Sequence, residues 1–80
     1  MGNAELDRFI TLVRKQFREE DNGPIIESTD LKTLKEWSSL QTMIIVSEID
    51  KEYNVILDFE DIKKAKNVAE LFVIVQTKLN

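Results

Sequence analysis

Residues 36–53 read EWSSLQTMIIVSEIDKEY, and the placement of this run decides the rest of the chain. After Ser39 the apolar residues Leu40, Met43, Ile44, Val46, Ile49 and Tyr53 recur at helical spacing, which predicts a helix over about 39–53 with that set as its buried face. Upstream, Ser38-x-x-Gln41 fits a capping box, in which the serine hydroxyl takes an orphan backbone N–H and the glutamine reaches back to the cap. With Ser38 as cap, Ser39 is the first helical residue and its hydroxyl is left for other work. A helix N-terminus offers unpaired N–H groups and the positive end of a dipole to an anion, so a phosphodiester built on Ser39 would be well placed. Serines before an apolar helix are far more often caps than attachment points, and these residues alone leave both readings open.

The first 20 residues are organised in the same way. Leu6, Phe9, Ile10, Val13 and Phe17 follow the i, i+3, i+4, i+7, i+11 pattern of a single stripe, which predicts a helix from about Asn3 to Glu20. Asn3 is its expected cap, Glu5 and Asp7 suit the first turn, and Arg14, Lys15, Arg18 and Glu19 read as a solvated outer face. Asp21-Asn22-Gly23-Pro24 is a stop signal. The connection from Ile25 to Trp37 carries Ile25, Ile26, Leu31, Leu34 and Trp37, too many apolar residues for a free linker. It is expected to pack across the helices, with one short turn after Ser28-Thr29-Asp30 and Trp37 anchoring its end.

Past the central helix, Asn54 is the expected terminator, and Val55-Ile56-Leu57 reads as a buried connector, since three β-prone residues without a partner make no sheet. Asp58 caps a short helix over Phe59 to about Lys64, with Glu60 and Asp61 in its first turn. Asn67-x-x-Glu70 opens a last helix to about Leu79, with Val68, Leu71, Phe72, Val75 and Leu79 on its face and Val73 and Ile74 broadening it. The sum is one all-α domain over 1–80: a small four-helix bundle of three longer helices and one short one, with a long first loop.

Composition removes whole classes of chemistry. The chain has no cysteine and no histidine, so disulfides, thiolate nucleophiles, Ser-His and Cys-His catalysis and the commonest metal ligands are absent. Eleven basic against fifteen acidic residues, a formal charge of −4, argue against a nucleic-acid partner. Asp50, Glu52, Asn54, Asp58 and Asp61 lack the glycine that a calcium loop needs at its sharp turn. No apolar run reaches membrane-spanning length and the N-terminus lacks the apolar core of a signal peptide, so the expectation is a soluble, cytoplasmic, non-catalytic protein.

The order of elements resembles the acyl carrier proteins and related phosphopantetheine-binding carrier domains over nearly the whole chain. The resemblance rests on the long first helix and apolar loop, Ser38-Ser39-Leu40 opening the second helix, and Ile49-x-x-x-Tyr53-Asn54-Val55 near its end. Beyond these come the short helix at Asp58 to Lys64 and Asn67-Val68-Ala69-Glu70-Leu71 opening the last. In that family the serine of an Asp-Ser-Leu motif carries a 4′-phosphopantetheine arm, and the matching position is Ser39, followed by Leu40. The family's aspartate is here Ser38, and its acidic positions early in the second helix are Gln41 and Ile44, with Glu48, Asp50 and Glu52 lying further along. Trp37, two residues before the serine, resembles a variant of specialised biosynthetic carriers.

The resemblance implies an acyl carrier that holds its cargo as a thioester on the arm, in fatty-acid-like or polyketide-like specialised biosynthesis. It implies a phosphopantetheinyl transferase and acyl-loading and condensing enzymes as partners, no membrane insertion, and a monomer. Partner contact falls to Ser38, Leu40, Met43, Ile44 and Glu48, although for Met43 and Ile44 core packing is the weightier reading. A peptidyl or D-alanyl carrier has the same fold and arm with a different cargo, and the sequence does not separate the two. A helical interaction module in which Ser39 merely caps a helix is the reading from another class.

Overall fold

Three long helices meet at an aromatic triad. In a computed structural model that describes residues 4–79, with Glu19 and Asp21 described in backbone only, α1 spans Ala4–Arg14, α2 Glu19–Asn22, α3 Ser39–Tyr53, α4 Phe59–Lys64 and α5 Val68–Leu79. Phe9 of α1, fully buried, sits with its ring centroid 5.9 Å from Tyr53 of α3 and 5.1 Å from Phe72 of α5, while Tyr53 and Phe72 are 6.4 Å apart. These separations suit tilted and edge-on aromatic contacts. Val13, Ile45, Ile49, Val68, Leu71 and Val75 fill the core around the triad. The Tyr53 hydroxyl is buried without a hydrogen-bond partner among the described residues, and burial pushes its pKa up, with Arg8 opposing the rise and Glu52 and Glu5 adding to it. The fold is the expected all-α small helical bundle, with a fifth, four-residue helix.

That extra helix arises because α1 ends at Arg14, not near Glu20. Gln16 and Phe17 donate their N–H groups three residues back, to Val13 and Arg14, so the last turn tightens and the chain leaves the helix. The break is held from elsewhere: the Gln41 side chain donates to the Gln16 carbonyl, and the Arg18 N–H donates to Glu36. Phe17 still turns into the core as its place in the stripe required. The Asn22-Gly23-Pro24 stop is real but closes α2, with Gly23 at a φ of +75°. Asn3, the expected first cap, lies outside the described residues.

The long connection packs as expected. Asp30 caps a 3-10 turn over Leu31–Thr33, and Ile25 and Leu31 enter the core while Ile26 is exposed. The carbonyls of Glu27 and Thr29 accept the N–H groups of Ala69 and Val68, the first two residues of α5. Lys32 from the 3-10 turn donates its ammonium to the carbonyls of Ile62 and Ala65 at the C-terminal end of α4. At the end of α3, Asn54 adopts the left-handed conformation and returns its N–H to the Asp50 carbonyl.

Three expectations about burial are corrected. The buried face of α3 is Thr42, Ile45 and Ile49, with Val46 and Tyr53 partly covered, whereas Leu40, Met43 and Ile44 are exposed. Five apolar residues in seven, from Leu40 to Val46, make the phase of the stripe ambiguous, and α1 and α5 select one phase. The connector after α3 is not uniformly buried. It runs extended, so its side chains alternate: Val55 and Leu57 point inward and Ile56 outward. On α5, Leu79 and Val73 are exposed while Val68, Leu71, Phe72 and Val75 form the buried face.

The caps follow local chemistry. Asp58 and Asp61 form a full capping box at α4, each carboxylate accepting the other residue's N–H. The N–H of Asp58, and then Lys78 at 3.4 Å, hold the Asp61 carboxyl below its ordinary pKa against the opposing effect of burial. At α5, Asn67 accepts the Glu70 N–H, and Glu70 reaches back to Lys66 rather than to the cap itself. No helix among the described residues is long and apolar enough to cross a membrane.

Candidate functional site

The N-terminus of α3 divides its two serines as the cap reading requires. Ser38 is extended, with φ −160° and ψ 172°, and its hydroxyl accepts the Gln41 N–H at 3.1 Å. The Ser38 carbonyl takes both the N–H and the hydroxyl of Thr42, each at 2.9 Å. The reciprocal half of the box is missing, because Gln41 is turned across to the end of α1. Ser39 is therefore the first residue of the helix, exposed, and its hydroxyl makes no hydrogen bond among the described residues. The N–H groups of this first turn have no carbonyl of their own helix to bond, which leaves donors and partial positive charge beside the Ser39 hydroxyl.

Ser39 opens on a groove of about 670 Å³ between α3, the end of the loop and α4. Trp37, Phe59 and Ile62 give it apolar walls, and Lys32 and Lys63 bring cations to it. The Lys32 ammonium is already shared between the α4 carbonyls and Asp30 at 3.5 Å, whereas Lys63 is held only loosely, 4.0 Å from Glu60. Phe59 also lines a second, more apolar trough of about 480 Å³ that continues between α3 and α4, with Met43, Val46, Ile56 and Leu57.

Of the residues expected to meet a partner, four share an exposed surface. Ser38, Leu40, Met43 and Ile44 lie on the outer side of α3, with Leu40 68% and Met43 59% exposed. Glu48 is set apart: it is half-buried, paired with Lys51 at 3.3 Å, and lines a different groove on the α1 side with Arg8, Thr11 and Lys15. Ile56 (75% exposed) and Phe59 (58%) enlarge the apolar face, and neither was marked by the helical pattern. Two-residue alternation in an extended Val-Ile-Leu was the signal available for Ile56. Phe59, an apolar residue at the first position after the Asp58 cap, carried no such signal.

Compared with known proteins, the chain matches no family model and shows no significant match to any curated protein or solved structure.

Proposed function

We propose that the chain is a carrier protein whose Ser39 bears a 4′-phosphopantetheine arm and that it hands an acyl cargo between partner enzymes. The carrying observation is the separation of duties at the start of α3: Ser38 does the capping, and Ser39, one residue on, keeps an exposed hydroxyl with no hydrogen bond among the described residues. A serine needed as a cap would lose its structural role on esterification; Ser39 has none to lose.

The residues around it suit the group. The first-turn N–H groups and the cations Lys32 and Lys63 face the side on which the phosphodiester would lie, and Trp37 and Phe59 offer apolar surface to an arm leaving it. When bound, the group supplies a terminal thiol, the nucleophile that a chain without cysteine lacks. The protein's own part is presentation, so no catalytic side chains are required of it. In this reading a phosphopantetheinyl transferase and the acyl-loading and condensing enzymes approach over Ser38, Leu40, Met43 and Ile44, and the molecule works as a cytoplasmic monomer. The same features serve a peptidyl or D-alanyl carrier.

Intact mass, before and after incubation with coenzyme A and a broad-specificity phosphopantetheinyl transferase, tests the proposal. Wild type and Ser38→Ala should each gain one phosphopantetheine and Ser39→Ala none. No gain on folded wild type, beside a control carrier that is modified, would overturn it. The exposed apolar face of Leu40, Met43, Ile56 and Phe59 favours one second reading, a helical module that binds another protein through this face without any arm.

A further inference from the structure

We infer that the trough between α3 and α4 is a cargo site selective for charge, taking an apolar group that carries an amine and disfavouring one that carries a carboxylate. The inference deepens the carrier reading and rests on it for what delivers the cargo.

Helical spacing gives the trough its direction. Ser39, Met43, Val46 and Asp50 stand at i, i+4, i+7 and i+11, so they fall on one stripe of α3 and lead from the attachment point toward α4. At 1.5 Å per residue that stripe runs about 16 Å. Met43, Val46, Ile56, Leu57 and Phe59 make the floor apolar over about 480 Å³, and Ile56 and Phe59 are large side chains left mostly uncovered among the described residues. On this side of the bundle the inner gap beside Leu31, Ile62 and Leu71 amounts to only about 10 Å³, and another groove of similar volume, about 450 Å³, opens elsewhere, at Tyr53 and Phe72 beside Glu5 and Arg8. An apolar cargo reaching this side of the molecule is therefore held on the trough and not within the core.

Charge then says which cargo. Among the described residues no lysine or arginine lines the trough, and its two ionisable groups are Asp50 and Asp58. Asp58 spends one carboxylate oxygen on the Asp61 N–H as a cap. Asp50 is exposed, and its carboxylate has no ion pair or hydrogen bond among the described residues. The nearest cation in sequence, Lys51, is engaged by Glu48. The cations Lys32 and Lys63 lie in the other groove, beside Ser39. The path along α3 is thus cationic at the Ser39 end, apolar in the middle and anionic at the Asp50 end. An occupant with a phosphate at one end and an amine at the other matches that order; one ending in a carboxylate meets Asp50 and Asp58 with like charge.

The trough can be tested without the arm. Octylammonium, octanol and octanoate are titrated into the unmodified protein and followed by amide and methyl NMR shifts. Shifts centred on Met43, Val46 and Phe59 are expected for all three. Octylammonium should bind about three-fold tighter than octanol and octanoate about three-fold weaker, the size an exposed single charge contributes. Asp50→Asn should bring octylammonium level with octanol, while Glu20→Gln, an exposed carboxylate on α2, should leave the order unchanged. Equal binding of the three probes, a preference that survives Asp50→Asn, or shifts centred elsewhere would overturn the inference. Because the probes need no arm, a Ser39 that refuses phosphopantetheine would sink the carrier reading while leaving the trough result standing on its own.

Discussion

Replacing Ser38 and Ser39 one at a time separates a structural hydroxyl from a chemical one. Ser38 Oγ accepts the Gln41 N–H at 3.1 Å, and Ser38→Ala leaves that donor without its partner at the mouth of a 15-residue helix. Loss of a serine cap costs about 1 kcal/mol. For 80 residues, with an unfolding entropy near 2.1 cal/mol/K per residue, that corresponds to a fall in Tm of about 6 °C. Ser39 Oγ makes no hydrogen bond among the described residues, and alanine is the better helix former, so Ser39→Ala should stay within about 0.5 kcal/mol of wild type. Urea unfolding followed by far-UV circular dichroism and Trp37 fluorescence measures both. The functional effect runs the other way, since Ser39→Ala alone should lose the capacity for modification. If Ser39→Ala destabilised as much as Ser38→Ala, Ser39 would be carrying part of the cap, and the assignment of its hydroxyl to chemistry would fail.

Two further outcomes follow from burial and from charge. Ile45→Ala removes a fully buried side chain beneath α3 and should cost about 2–5 kcal/mol, while Met43→Ala two residues away should cost under about 1 kcal/mol; chemical denaturation that ranked them in reverse would put α3 in the other phase. Asp61 is held below its ordinary pKa, so the stability it contributes is complete above the unfolded carboxylate value near 4 and is lost as pH falls through the lower folded value. The stability gap between wild type and Asp61→Asn, measured from about pH 7 down to about pH 2, should therefore shrink on acidification; a gap that widened would refute the sign.

What could be read from the sequence was what neighbouring residues decide. Ser38, Asp58, Asn67 and the left-handed Asn54 act over three or four residues, and each sits where its side chain predicted. The stripe Phe9, Val13, Phe17 was legible because its four-residue spacing runs unbroken while Asp7, Arg8, Arg14, Lys15 and Arg18 mark the other face as polar. What failed depended on distant parts of the chain. Nothing in Lys15-Gln16-Phe17-Arg18 opposes a helix; α1 stops there because Gln41 and Glu36 supply partners for the broken turn. The inward face of α3 could not be chosen from a run in which Leu40, Met43, Ile44, Ile45 and Val46 are all apolar. At the candidate site, the cap rule alone gave Ser38 its role and left Ser39 open between two readings, but Lys32, Lys63 and Phe59 come to the groove through the loop and α4, and no spacing in the sequence announces them.

The connection between α2 and α3 has a consequence for how the molecule comes apart. The opening turn of a helix is ordinarily where fraying starts, since its N–H groups lack partners. In α5 the N–H groups of Val68 and Ala69 are instead bonded to the carbonyls of Thr29 and Glu27, so the loop closes the end of the helix with main chain. Lys32 ties the same loop to the carbonyls of Ile62 and Ala65. Lifting the loop thus leaves two N–H donors of α5 and two carbonyl acceptors at the end of α4 without their partners at once. A segment that looks like a linker in the sequence is a cooperative unit with the two C-terminal helices, and its opening is governed by their stability and not by its own.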